Sequence, residues 1–390
     1  MVPNPGRVFR GPVCNSAAAA VDKGFPVSVD PAILAFHRRL PGYVPTPLVE
    51  APELAAELGL GRLLVKVETG RLGLPAFKML GASVATYRVL VDRLGHEPAW
   101  STIDELRSAL APLGPLTLAA ATDGNHGRAV ARMAKLLGYR ARIWVPTGTA
   151  RARIDGIESE GASCTVVDGT YDEAVAVSAA EAAGDVLVIS DTSWKGYTKV
   201  PGWVIEGYST IFTEVDEQLE GAAPEIVVSQ MGVGALTAAV ADHYATTSTV
   251  LAVEPLTAAC GLRSAEAGRP VEVPGPHQSI MAGLNCGNVS TLAWPRVSAG
   301  VDVFVAIDDA AAEGAMRDLA TLRVEAGETG GAGLAGLRAW IQAGADGLRG
   351  ASVLADPALA SSTAMVICTE GATDPFTYER VVGHPPLPTA

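Results

Sequence analysis

Cysteine is scarce in this chain of 390 residues: Cys14, Cys164, Cys260, Cys286 and Cys368 form no CxxC pair. That spacing excludes a zinc ribbon and a thioredoxin-like redox motif, and no metal site is expected. An odd number at low density argues against a secreted disulfide scaffold. Lysine is as scarce, at Lys23, Lys66, Lys78, Lys135, Lys195 and Lys199 only. Aromatic residues make up just 5%. No run of about 18 apolar residues offers a membrane span, and the N-terminus lacks the apolar stretch of a secretory leader. Positive charge is in deficit, 29 basic against 42 acidic residues for a net charge of −13. That balance argues against nucleic acid or an anionic membrane as partner. With 48% hydrophobic residues the chain reads as a globular enzyme of the cytoplasm, long enough for two domains.

What is present is an alternation of apolar strands and helices. Strand patterns cover 63–68, 116–121, 141–145, 164–168 and 186–190, with helical patterns over 129–137 and 172–183. The pattern restarts with strands at 225–230, 250–253, 301–306 and 364–368. Such alternation predicts two α/β units built on parallel sheets. Residues 1 to about 30, rich in Pro, Gly and Ala, read as an arm. In open parallel sheets ligands sit outside the carboxyl ends of strands. The loops after Ala121, Ser190, Gln230 and Cys368 all occupy such ends.

Four stretches carry chemistry. Leu74-Pro-Ala-Phe-Lys-Met-Leu-Gly81 places Lys78 between an apolar run and a helix start. A lysine there either snorkels, which is the commoner case, or forms a Schiff base with a carbonyl cofactor. Thr122-Asp-Gly-Asn-His-Gly127 sets a hydroxyl, a carboxylate, an amide and an imidazole at a strand-to-helix junction. Its amides and Thr122 suit a substrate carboxylate; the plain alternative is helix capping by Asp123 or Asn125. His126 alone is more often structural, and Asp191 after its strand is equally a turn residue. Gly232-Val-Gly-Ala-Leu236 follows a strand and opens a helix, a natural cradle for phosphate. It also permits a dinucleotide reading with Glu254 on a ribose, although Thr237 stands where a third small residue is expected.

In combination and order, these stretches resemble the pyridoxal-phosphate enzymes of the tryptophan-synthase β-subunit fold, and more closely the diaminopropionate ammonia-lyase family. The residues carrying the resemblance are Arg71–Gly81, Ala121–Arg128, Asp191–Trp194 with Gly196-Tyr197, Gly232–Leu236, Glu254-Pro255 with Cys260, Met281–Gly287 and Thr369–Asp374. It runs from about Phe36 to Asp374. It implies the fold type II architecture of two three-layer parallel-sheet domains. An arm would cover 1–45, a large cofactor-binding domain 46–83 and 204–390, and a small α/β domain 84–203.

The family pattern implies that Lys78 holds pyridoxal phosphate as a Schiff base, with Phe77 beside it. Asn125 would bond the cofactor's phenolic oxygen, Gly232, Val233, Gly234, Ala235 and Leu236 its phosphate, and Thr369 the pyridine nitrogen. Lys78, Asp123 and Asp191 would act on the substrate, held by Thr122, Asp123, Gly124, His126 and Asp191. The implied reaction is β-elimination on 2,3-diaminopropionate of either hand, through an aminoacrylate, to pyruvate and ammonia. A homodimer is the family's habit. Val84 and Asn285 depart from the pattern, which leaves a serine/threonine dehydratase or a β-replacement synthase as the alternative. Cys260 and Cys286 flank a Gly/Pro-rich region, as two separate buried thiols or as neighbours.

Overall fold

The computed structural model of the chain describes residues 9–14, 30–345 and 356–387. Eleven strands are formed among them: β1 (Phe9–Cys14), β2 (Leu48–Glu50), β3 (Arg62–Val67), β4 (Thr117–Ala121), β5 (Arg140–Pro146), β6 (Ser163–Val167), β7 (Val186–Val188), β8 (Ile226–Gln230), β9 (Thr249–Pro255), β10 (Val303–Ile307) and β11 (Thr363–Cys368). The chain divides into two compact units. One gathers the described parts of 1–28, 46–69 and 214–390; the other comprises 29–45 and 70–213.

The first unit is built on a seven-stranded sheet in the order β1-β10-β9-β8-β11-β3-β2. The five central strands run parallel, and β1 and β2 close the edges antiparallel. Every residue of β8 and β10 is buried, as expected for parallel strands covered on both faces. Residues 9–14, within the stretch read as an arm, add the edge strand β1. Its register slips between Arg10 and Val13, around Pro12. Proline has no N–H to give a ladder, so an edge strand at an irregular register is where a sheet tolerates it.

The 18-residue helix Glu328–Ala345 belongs to this unit and carries five glycines, of which those at 330, 331, 333 and 336 lie in its first half. They let its backbone lie close on the sheet. A Cβ on Gly336 would stand 2.2 Å from Val253 Cγ2, and one on Gly330 2.2 Å from Glu370 O. The core beneath it includes Val228, Leu251, Val305, Leu334, Trp340 and Val366.

The second unit is built on four parallel strands in the order β6-β5-β4-β7. Alanines at 119, 120 and 121 keep β4 slim between its covering helices, and all five of its residues are buried. Helix Asn125–Leu137 follows β4, and Tyr171–Ala180 precedes β7. Helix Lys78–Leu94 packs on Lys199–Gly207 through reciprocal glycines. A Cβ on Gly81 would stand 2.8 Å from Val204 O, and one on Gly207 2.6 Å from Leu80 O.

Replacing an exposed helical glycine by alanine usually stabilises a protein, by about 1 kcal/mol. Gly336→Ala is expected to do the reverse, lowering unfolding free energy by about 1–3 kcal/mol through overpacking on Val253. Urea unfolding of the two proteins measures it.

Candidate active site

Lys78 is the first residue of the 17-residue helix Lys78–Leu94, whose N-terminus has no side-chain cap. The positive end of the helix dipole disfavours a cation there. The structure answers with an acid: Lys78 Nζ donates to Asp191 Oδ2 at 2.7 Å. Burial, the largest influence, acts against the ammonium. The Asp191 charge, then Tyr208 and Asp123, outweigh it and hold the amine above the ordinary lysine range. Burial likewise works to raise the Asp191 pKa. Lys78, then His126, and a hydrogen bond from Tyr171 hold it well below the usual carboxylate range. Tyr171 Oη donates to Asp191 Oδ1 at 3.1 Å.

No other described lysine is available for covalent work of this kind. Lys66 is fully buried in the first unit, with Nζ committed to Glu214 Oε2 at 2.8 Å, Thr46 O at 2.9 Å and Gln218 Oε1 at 3.1 Å. Those three acceptors match the three donors of an ammonium. Lys135, Lys195 and Lys199 are exposed. Lys23 lies outside the described residues.

Asp191 and residues 122–126 leave the carboxyl ends of the paired parallel strands β7 and β4. Tyr197 ties the Asp191 segment to β7: its Oη donates to Val188 O at 2.7 Å and accepts from Ser190 N at 3.1 Å. Thr122 is buried, and its Oγ1 accepts from Gly124 N at 2.9 Å. The cap of helix Asn125–Leu137 is Gly124, at φ 144°, with no side-chain bond. Neither Asp123 nor Asn125 is therefore the capping residue. The first N–H groups of this helix have no intrahelical acceptor and favour an anion. Gly127 sits where a Cβ would meet Thr122 Cγ2 at 2.4 Å, so the turn closes only with glycine there.

His126 is buried, with Nε2 2.7 Å from Ile189 O and Nδ1 4.0 Å from Asp191 Oδ2. Burial first, and the Lys78 cation after it, lower its pKa. Phe77 caps the Lys78 helix and packs its ring 4.7 Å from that of Tyr208. Tyr208 is fully buried, its hydroxyl within electrostatic reach of Lys78 but without a hydrogen-bond partner of good geometry. The second unit thus brings Phe77, Lys78, Thr122, Asp123, Gly124, Asn125, His126 and Asp191 to neighbouring strand and helix ends. Sequence reasoning missed Tyr171 and Tyr208. The one sequence signal for Tyr208 is Gly81, three residues past the lysine, where a Cβ would meet the tyrosine ring at 2.6 Å.

In the first unit, Gly232–Leu236 and Thr369 follow the paired parallel strands β8 and β11. Gly234, at φ 98°, caps helix Ala235–Tyr244 with no side-chain bond. That helix also presents unpaired N–H groups. Thr369 Oγ1 is buried with no hydrogen-bond partner among the described residues. Cys260 and Cys286 are buried, and both lie against Gly232. Cys260 Sγ is 3.7 Å from Gly232 O, and a Cβ on Gly232 would stand 3.3 Å from Cys286 Sγ. Glu254 is no ribose ligand. Its two oxygens accept from Gly261 N at 2.7 Å and Leu262 N at 2.8 Å, capping helix Cys260–Ala267. Among the described residues no metal-ligand cluster occurs and no helix is long and apolar enough to cross a membrane.

In the second unit a part-buried lysine amine at a helix start suits a carbonyl; in the first, an uncapped helix N-terminus behind a glycine turn suits a phosphate, and an orphaned buried hydroxyl suits a ring nitrogen, and these three groups are those of pyridoxal phosphate. Residues 39–355 match the family described as pyridoxal-phosphate dependent enzyme. Diaminopropionate ammonia-lyase of Escherichia coli K12 is 37% identical over 361 residues, 89% of each chain. The crystal structure of the Escherichia coli enzyme with D-serine superposes with a TM-score of 0.85 at 33% identity, covering 96% of this chain and 98% of that one. Its complex with an aminoacrylate-PLP azomethine reaction intermediate gives 0.82 at 32% identity and the same coverage. The fold is that of the type II pyridoxal-phosphate enzymes. The chain belongs to the pyridoxal-phosphate dependent enzymes, and within them to the diaminopropionate ammonia-lyases.

Burial raises the Glu254 carboxyl from 4.5 to about 7, against its two backbone donors. The folded chain then holds this proton more tightly than the unfolded chain. Its contribution to stability falls as pH rises from 4.5 to about 7. Glu254→Gln is expected to flatten that slope in urea unfolding across the same window, and to cost about 1–3 kcal/mol by leaving Gly261 or Leu262 N–H unpaired.

Proposed function

We propose that this chain is a pyridoxal-phosphate-dependent ammonia-lyase that converts 2,3-diaminopropionate to pyruvate and ammonia by β-elimination. The Lys78–Asp191 pair at the helix start carries the reading. Bound at Lys78, the cofactor supplies an aldehyde carbon for the amine and an electron sink for charge at the substrate α-carbon. Gly232–Leu236 offers backbone donors to its phosphate, Asn125 takes its phenolic oxygen, and Phe77 lies beside the lysine. The unpartnered Thr369 hydroxyl takes the ring nitrogen. A neutral hydroxyl there leaves that nitrogen less protonated than a carboxylate would.

On the substrate side, the open N-terminus of the Asn125 helix, with Thr122 and Gly124, receives the α-carboxylate. Lys78, released from the cofactor, takes the α-proton from one face, and Asp123 takes it from the other. Two bases on opposite faces account for use of both enantiomers. Asp191, held ionised by its neighbours, binds the β-ammonium. Such a charge-assisted bond is worth roughly 1.5–3 kcal/mol, and a β-hydroxyl forgoes it. The family resemblance extends the reading to a homodimer in the cytoplasm.

Loaded enzyme should release two ammonia for each pyruvate from D- or L-diaminopropionate. Serine handled as efficiently would place the chain with the dehydratases instead. Lys78→Ala should lose the Schiff-base absorbance. Asp123→Asn should lower kcat/KM for one enantiomer by about 10²–10⁴-fold and for the other far less. Equal loss for both would remove the two-face assignment.

A further inference from the structure

Resting on the function proposed above, we infer that His126 Nδ1 and Asp191 Oδ2 together receive the departing β-ammonium, and that this pair of acceptors selects a β-amino over a β-hydroxyl substrate. The geometry begins with Ile189, whose carbonyl lies 2.7 Å from His126 Nε2. A carbonyl only accepts, so Nε2 carries the proton and the neutral ring leaves Nδ1 a bare lone pair. Nδ1 is buried and has no hydrogen-bond partner. A buried acceptor left unmet is costly, and such atoms call for an occupant.

Nδ1 stands 4.0 Å from Asp191 Oδ2. One tetrahedral nitrogen spans that gap with two hydrogen bonds of about 2.8 Å. The other carboxylate oxygen, Oδ1, is already engaged by Tyr171. Oδ2 in this structure accepts from the Lys78 ammonium at 2.7 Å. That group stands in chemically for a substrate β-ammonium: primary, cationic and with three donors. A Lys78 nitrogen that is bonded to the cofactor, or is neutral and ready to take the α-proton, is no longer an ammonium, and Oδ2 is released to another cation.

A β-ammonium can donate to both acceptors at once. A β-hydroxyl has one proton and leaves one acceptor unmet in a buried site. Departure widens the difference. The electrons of the broken Cα–H bond form the Cα=Cβ bond, and the C–N pair leaves with nitrogen as neutral ammonia. No proton has to be supplied. Hydroxide leaves well only if protonated, and neither Nδ1 nor the ionised Asp191 has a proton to give, so a β-hydroxyl would depend on the proton that Lys78 takes from Cα. The nearby Tyr208 phenol is made a weaker acid by burial.

The test uses two ligands that lack an α-hydrogen, α-methyl-2,3-diaminopropionate and α-methylserine, titrated into the loaded enzyme with binding read by absorbance. Wild-type enzyme is expected to prefer the diamine. His126→Gln keeps a donor for Ile189 O but removes the Nδ1 acceptor, and should shrink that preference about tenfold or more. His126→Asn, which returns an acceptor near the Nδ1 position, should restore much of it. An undiminished preference in His126→Gln overturns the inference. Should that variant not fold, ¹⁵N-histidine NMR of the wild-type holoenzyme decides: the His126 Nδ1 resonance moves on adding the diamine ligand, and an unmoved resonance overturns the pairing. Wild-type enzyme that makes pyruvate from diaminopropionate while His126→Gln keeps its preference defeats only the His126 role. Wild-type enzyme that makes none defeats the proposed function itself.

Discussion

A lysine at the start of a long helix is in an unfavourable place, because the helix dipole and burial both oppose its charge. In this chain a single carboxylate reverses that, with Asp191 2.7 Å from Lys78. Each partner stabilises the charged form of the other, so the local structure is arranged around keeping them together. Tyr197 holds the segment leading to Asp191 against β7, Tyr171 fixes one carboxylate oxygen, and Phe77 and Tyr208 enclose the lysine. The opposing forces are useful. An amine that its surroundings favour as neutral once its counter-charge is taken up elsewhere is suited to attack a carbonyl.

In the proposed function the first unit has a different task, that of receiving the cofactor's phosphate. Its tool is backbone: strand β8 runs into Gly232-Val-Gly-Ala-Leu236, and Gly234 opens a helix whose first N–H groups have no partner within it. Packing around Gly232 is close: a Cβ there would stand 3.0 Å from Gly283 O and 3.3 Å from Cys286 Sγ, a fit that its neighbours must yield to accept. The Lys66–Glu214 pair in the same unit shows how the fold treats a buried lysine with no reactive task. Every donor is met and the amine is locked.

The parallel strands were legible because a strand covered on both faces is mostly apolar: β10 is so throughout, and β4, β8, β9 and β11 carry polar residues only toward their ends. The Lys78 helix was legible from its apolar spacing. Helix Glu328–Ala345 was not, because its glycines lower helix propensity for reasons found only in contacts with Val253 and Glu370. In the site, residues inside dense motifs could be read, since glycines beside polar groups at a strand end have few structural explanations. Glu254 was ambiguous until its partners, two backbone N–H groups, were known. Tyr171 and Tyr208 lay beyond reach, because nothing local in the sequence says which tyrosine turns its hydroxyl toward Asp191 or which lies near Lys78, far along the chain.

The proposed chemistry turns on which nitrogen carries the cofactor. Borohydride reduction of the loaded enzyme, digestion and mass spectrometry identify the lysine that keeps the phosphopyridoxyl group. That mass is expected on the peptide containing Lys78 and on no other. The same mass on a peptide containing Lys66 or any other lysine, with Lys78 unmodified, would contradict it.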